Sequence, residues 1–154
     1  MKIFDCFMYF DEEVVLDLRL NMLNQYVDYF VIVESKFTHR GEERDLKFDI
    51  NKFSKLKDKI IYLVYDEEPS GTEKILDKDN EGEKSRKFIF NAALRENGQR
   101  NYITKGLENS SKEDIILISD VDEIPNLELI DFKKIKNQII LFKQDMFYYK
   151  LNLK

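Results

Sequence analysis

A chain of 154 residues with a formal net charge of −5 has enough length for one hydrophobic core and fits one domain better than two. At 43% hydrophobic and 36% charged, with eight Tyr and twelve Phe, it is too apolar for a disordered segment. Its basic residues are interleaved with acids, as in Lys84-Ser85-Arg86-Lys87 after Glu81 and Glu83, which argues against nucleic acid as a partner.

Cys6 is the only cysteine, so no intramolecular disulfide forms, and its apolar run Ile3 to Met8 marks a core thiol. His39 is the only histidine, which excludes a multi-histidine metal site. No apolar stretch approaches the ~20 residues of a membrane span, and the N-terminus lacks the pattern of a signal peptide. The expectation is a soluble, cytoplasmic protein.

In chain order, Ile3 to Phe10 reads as a buried strand. Asp11 is placed to cap a helix, with Glu12 and Glu13 in its first turn. Leu16, Leu20, Leu23 and Val27 recur at helical spacing and give that helix one core-facing stripe. Tyr29 to Val33 reads as a second strand ending at Glu34-Ser35, and strand, helix, strand in this span is the βαβ signature of a parallel sheet. The polar stretch from Lys36 to Lys59 has no assignable period. Ile60 to Tyr65 reads as a third strand, followed by a loop from Asp66 to about Gly82 that holds Pro69 and Gly71.

A helical pattern runs from about Glu83 to Leu107, weakened by Gly98. Asp114 to Ser119 reads as a fourth strand, whose Ile115 to Ile118 run implies burial on both faces. Pro125 stops it, a short helix is expected over Leu127 to Lys136, and Ile139 to Phe142 begins another strand. The expected class is α/β: one domain over residues 1–154, built on a mainly parallel sheet flanked by helices.

The strongest local signal is Ile118-Ser119-Asp120-Val121-Asp122-Glu123-Ile124-Pro125. Side chains alternate along an extended segment, so Asp120 and Asp122 are expected on one side, at the carboxyl end of a buried strand where open α/β sheets bind ligands. Two desolvated carboxylates repel, and a divalent cation removes that cost. Mn²⁺ or Mg²⁺ usually takes one or two carboxylates plus substrate phosphates, so Asp122 and Asp120 are the candidate metal ligands of a bound diphosphate. The plain alternative is an acidic turn in which Asp120 caps the next helix. A haloacid-dehalogenase-type phosphotransferase would use Asp120 as nucleophile, but Glu123-Ile124-Pro125 replaces its Gly-Thr-like continuation.

The second signal is Arg95 to Asn101. On a helix, Ile89, Ala93, Ile103 and Leu107 share one stripe with Glu96 and Arg100, as expected of a partly buried ion pair or of side chains reaching into a site. Arg95, Gln99 and Tyr102 line an adjacent face. An arginine fork suits a diphosphate, so one of Arg95 and Arg100 is assigned to it and the other to Glu96. The alternative is an ordinary surface pair at i, i+4.

With these segments read, the chain resembles glycosyltransferase family 17, the family of the β-1,4-mannosyl-glycoprotein 4-β-N-acetylglucosaminyltransferases of N-glycan processing. The resemblance is carried by Asp5-Cys6-Phe7-Met8-Tyr9-Phe10-Asp11-Glu12, Leu18-Arg19-Leu20-Asn21 and Val27 to Ser35, with Phe37-Thr38. It resumes at Arg95-Glu96, Gln99-Arg100-Asn101, Ile116 to Pro125 and the aromatic segment Met146 to Asn152.

The resemblance implies a GT-A-like fold of Rossmann type, an inverting mechanism, UDP-GlcNAc as the UDP-sugar donor and a glycan acceptor. It makes Asp120 and Asp122 the family's Asp-x-Asp motif, and Arg95, Glu96, Arg100 and Asn101 join Asp120 as candidate substrate-binding residues. Inversion needs a general base on the acceptor hydroxyl, for which Asp145 is the one late carboxylate kept. Family members continue past the aromatic segment, so a short or truncated member lacking the C-terminal part of the fold is expected, with self-association through its last strand. Animal relatives carry a Golgi membrane anchor, and the expectation here is a protein without one. A non-catalytic nucleotide-sugar-binding fragment is the remaining alternative.

Overall fold

The computed structural model describes residues 1–135 and 139–145. Four parallel strands form one sheet: β1 (Ile3–Tyr9), β2 (Tyr29–Ser35), β3 (Ile60–Tyr65) and β4 (Ile115–Ile118), in the order β3-β2-β1-β4. Parallel neighbours need long crossovers. Helix α1 (Glu13–Leu23) supplies the first and the 3₁₀ helix Ile50–Lys59 the second. Helix α2 (Glu81–Asn101) and the 3₁₀ helix Tyr102–Leu107 supply the third. The expected α/β class is the observed one.

Side chains alternate along a strand, so each strand feeds two cores. Ile3, Phe7 and Tyr9 of β1 join Phe30 and Ile32 of β2 against Leu16, Leu20 and Leu23 of α1. Phe4 and Cys6 join Val31, Val33 and Tyr65 on the opposite face, against Ile103. Both faces are covered, as parallel sheets require. Burial, then the charge of Asp5, pushes the Cys6 thiol up against the lowering effect of Arg19, so it stays an inert core thiol. Gly98 and Gly106 let the third crossover lie close to the sheet. A Cβ there would stand 2.3 Å from the Tyr65 hydroxyl and 2.4 Å from Val31 Cγ1, respectively. No helix among the described residues is long and apolar enough to cross a membrane.

Several local expectations are corrected. Asp11 does not cap α1. Glu12 takes the capping position, and its carboxylate accepts the N–H groups of Phe10 (3.0 Å) and Asp11 (3.1 Å) instead of reaching forward. Helix α2 begins at Glu81 rather than Glu83, because Asn80 and Glu83 cap it reciprocally at 2.9 Å each way. The stripe through Ile89 is not the buried one, since Ile89 is 72% exposed. α2 buries Asn91 and Gln99, which satisfy backbone groups: Asn91 exchanges two 2.8 Å bonds with Glu73, and Gln99 donates to the Val33 carbonyl at 2.9 Å.

β4 is an edge strand in the described sheet: Ile115 and Ile116 are half-buried, one against each core, Leu117 is buried and Ile118 is 56% exposed, so the expected burial on both faces is only partial. The helix expected from Leu127 is two 3₁₀ turns, Leu127–Leu129 and Phe132–Lys134. Asn126 and Asp131 each cap the next short turn, which breaks the helical run. Ile139 to Phe142 form no strand. Lys136 and the segment Met146 to Asn152 lie outside the described residues.

Candidate functional site

The strand order places β2 and β3 on one side of β1 and β4 on the other, so the connection reverses between β1 and β4. Ligands of open α/β sheets bind outside the carboxyl ends of the strands at such a reversal. Tyr9 and Phe10 leave β1 there, and Ser119 to Glu123 leave β4.

The aspartate segment is not extended as alternation would require; it turns. The Glu123 N–H donates to the Asp120 carbonyl at 3.0 Å, and the Ile124 N–H donates to the Asp122 carbonyl at 3.1 Å. Glu123 returns the favour, its Oε2 accepting the Asp120 N–H at 3.1 Å. Asp120 and Asp122 still face shared space, because both line each of the two cavities beside the turn.

The cavity on the β1 side, about 870 Å³, is lined by Phe10, Glu12, Thr38 to Arg40, Glu96, Gln99 and Arg100 as well as the aspartates. The other, about 720 Å³, is lined by β4, Glu123, Pro125, Ile140 to Phe142 and Asp145. Both have the size of small-molecule sites.

Arg100 crosses from α2 to the turn. Its Nη2 donates to Asp120 Oδ1 at 3.0 Å and to Glu96 Oε1 at 3.2 Å. Burial works against its charge, but the bonds and charges of Asp120 and Glu96 prevail and raise its pKa. The Asp122 side chain is exposed and makes no hydrogen bond or ion pair among the described residues. The ion pair of Glu96 and Arg100 is half in solvent, with side-chain exposures of 45% and 34%. Asn101, the last residue of α2, is exposed and does not line either cavity.

Arg95 is engaged elsewhere. Its guanidinium grips Glu68 (Nε to Oε2, 3.0 Å) and donates to the His39 carbonyl at 3.1 Å. It also packs under Gly41, whose φ of +89° excludes most other residues. Arg95 thus fixes the loop that brings Thr38, His39 and Arg40 to the cleft. That loop closes on itself through Thr38 N–H to the Glu42 carbonyl at 2.8 Å. Residues 38–40 fall in the stretch whose polar sequence has no period, so no pattern announced them.

Arg19 was also unassigned to any role, although it lies in a segment of the resemblance. It is fully buried on α1 and clasps Asp5 of β1, with Nε to Oδ2 at 2.8 Å and Nη2 to Oδ1 at 2.7 Å. Its remaining donors reach Ser119 Oγ (2.7 Å) and the carbonyls of Asp120 (2.7 Å), Val121 (3.1 Å) and Glu123 (3.2 Å). The signal was present: an aspartate inside the apolar strand Ile3 to Phe7 demands a cation, and Arg19 falls on the Leu16-Leu20-Leu23 stripe.

Among the described residues no three His, Cys, Asp or Glu side chains are gathered for a metal. Two carboxylates, one of them unpaired, still fit a hard cation that shares its coordination with a diphosphate.

The chain is 31% identical over 125 residues to the human β-1,4-mannosyl-glycoprotein 4-β-N-acetylglucosaminyltransferase, covering 79% of this chain and 21% of that protein. The rat and mouse proteins of the same name match over the same shares at 31% and 30% identity. The chain therefore spans about a fifth of the length of the curated relatives it matches. No solved structure matches. The model of glycosyltransferase family 17 matches residues 1–150, nearly the whole chain, and the protein belongs to that family.

Proposed function

We propose that this chain forms the donor-binding part of a metal-dependent, inverting glycosyltransferase with a GT-A-like fold, taking a UDP-sugar, GlcNAc by family, to a glycan acceptor. The observation that carries the reading is the aspartate turn set between two cavities at the reversal of strand order. Family membership sets aside the haloacid-dehalogenase reading.

In this reading the cavity with Thr38 to Arg40 and Arg100 receives the nucleotide, and the cavity with Asp145 receives the acceptor. Asp122, and Asp120 beside it, would hold Mn²⁺ or Mg²⁺. The ion, when bound, supplies positive charge to the departing diphosphate. Arg100 turns its fork to the same diphosphate, since its partner Asp120 is the carboxylate that the ion would neutralise. Asp145 is the candidate general base, placed on the far side of the turn from the nucleotide.

Calorimetric titration with UDP-GlcNAc, UDP-glucose and GDP-mannose, each with and without Mn²⁺, tests the reading. UDP-GlcNAc should bind best, and much more tightly with the ion than without it. Equal affinities in the two conditions would overturn the metal site, and a preference for GDP-mannose would overturn the donor.

A further inference from the structure

We propose that Arg19 is a positioning residue for the donor site: from inside the core it sets the aspartate turn in the geometry that receives the metal diphosphate. The inference rests on the donor-site reading above and adds to it a residue that touches neither metal nor donor. The observation is the destination of the guanidinium's donors. Two bonds neutralise its charge on Asp5, and the rest go to one turn: Ser119 Oγ and the carbonyls of Asp120, Val121 and Glu123. The ring of Phe7, 4.6 Å from the guanidinium carbon, closes one face of it.

This arrangement does more than fill space. Three carbonyl oxygens of the turn are drawn inward to a buried cation, which removes them from the cleft. Of residues 120–122, Asp120 and Asp122 line the cavities on both sides of the turn, and Val121 lines the β1-side cavity alone. A planar fork held by Asp5 is rigid, so the turn is referenced to β1 and α1 rather than to its own edge strand. Lysine would keep the charge beside Asp5 but could not span the carboxylate and three carbonyls at once. Outer groups that orient ligands typically matter about 10–100-fold in affinity.

The test compares wild type with Arg19→Lys, and with Ser119→Ala, which removes the hydroxyl's bonds to Arg19 and to the Glu123 carbonyl and leaves the buried pair intact. Three quantities are read: the thermal midpoint, hydrogen exchange of peptides spanning 117–125 against those of β2, and UDP affinity with and without Mn²⁺. In folded Arg19→Lys, exchange should rise in the turn and not in β2. The gain in UDP affinity on adding Mn²⁺ should fall about tenfold, while metal-free affinity stays within about twofold. Ser119→Ala should show the same signs, smaller, and decides the matter if Arg19→Lys fails to fold. Wild-type Mn²⁺ dependence in a variant with a loosened turn would overturn the positioning role. Unchanged exchange would overturn the clamp itself. A wild type whose UDP binding ignores Mn²⁺ would instead overturn the donor-site reading, and the metal-positioning role with it, leaving the exchange result to judge the clamp alone.

Discussion

Tyr62 donates its hydroxyl to Glu34 Oε2 at 2.8 Å, and the carboxylate it meets is fully buried. The same carboxylate accepts the N–H groups of Lys47 (2.7 Å) and Phe48 (3.1 Å) and lies 3.0 Å from Arg44 Nη1. Glu34 therefore pins the returning leg of the loop that carries Thr38 to Arg40. Burial first, then the bond and charge of Glu34, push the Tyr62 phenol above its ordinary value.

A phenol that ionises less readily in the folded state contributes stability that is complete below its unfolded pKa of about 10 and is lost as pH rises toward its folded value. Thermal midpoints measured between neutral and strongly alkaline pH should fall beyond about pH 10. Tyr62→Phe should flatten part of that fall and lose about 1 kcal/mol at neutral pH. An unaltered alkaline slope would show that Tyr62 does not contribute to it.

Exposed ion pairs contribute about 0.2–1 kcal/mol, so Glu96→Ala should change unfolding free energy by less than about 1 kcal/mol. Chemical denaturation decides this, and a loss near 3 kcal/mol would mean that the pair is desolvated after all. Arg100→Gln should lower UDP affinity by about tenfold or more, because a charged hydrogen bond is worth about 1.5–3 kcal/mol. Arg95→Gln should weaken binding less, through the loop alone, and the same titrations rank the two.

Asp122→Asn removes the negative charge from the unpaired carboxylate at the turn while keeping its shape. It should erase the Mn²⁺ dependence of UDP binding and leave the unfolding midpoint within error, since no described residue depends on that side chain. Metal-dependent binding that survives in Asp122→Asn would transfer the role to Asp120.

Gly98→Ala would set a methyl 2.3 Å from the Tyr65 hydroxyl. Overpacking of this kind costs about 1–3 kcal/mol, against the ~0.5–1 kcal/mol that alanine ordinarily gains over glycine inside a helix. Gly98→Ala should therefore be net destabilising. Adding Tyr65→Phe, which deletes the clashing oxygen, should recover part of the loss, and non-additivity in denaturation free energies measures the contact.

The strands and their parallel sense were legible because each is a short apolar run with a helical stripe between the first two. The aspartate segment stood out in the sequence, but its geometry did not, since the turn depends on carbonyls drawn inward by Arg19, fourteen residues after Asp5 and about a hundred before the turn. Spacing along α2 selected the wrong face, because polar Asn91 and Gln99 are buried there to satisfy backbone groups while Ile89 is left outside. Arg95 reads as one of two candidates for a phosphate for the same reason that it binds Glu68: a fork suits any planar anion, and sequence does not say which one lies opposite.

The place of β4 beside β1 has a consequence for how the molecule is made. Emerging from the ribosome, β1, β2 and β3 can pair as soon as residue 65 is available. The other margin of β1, Ile3 to Cys6, must wait for Ile115 to Ile118. During that interval a strand destined for the interior presents an open row of backbone donors and acceptors, the kind of edge on which chains pair wrongly. The aspartate turn and protection from misassembly therefore arrive in the same late event, because the segment that closes the row is the one that brings Asp120 and Asp122 into place.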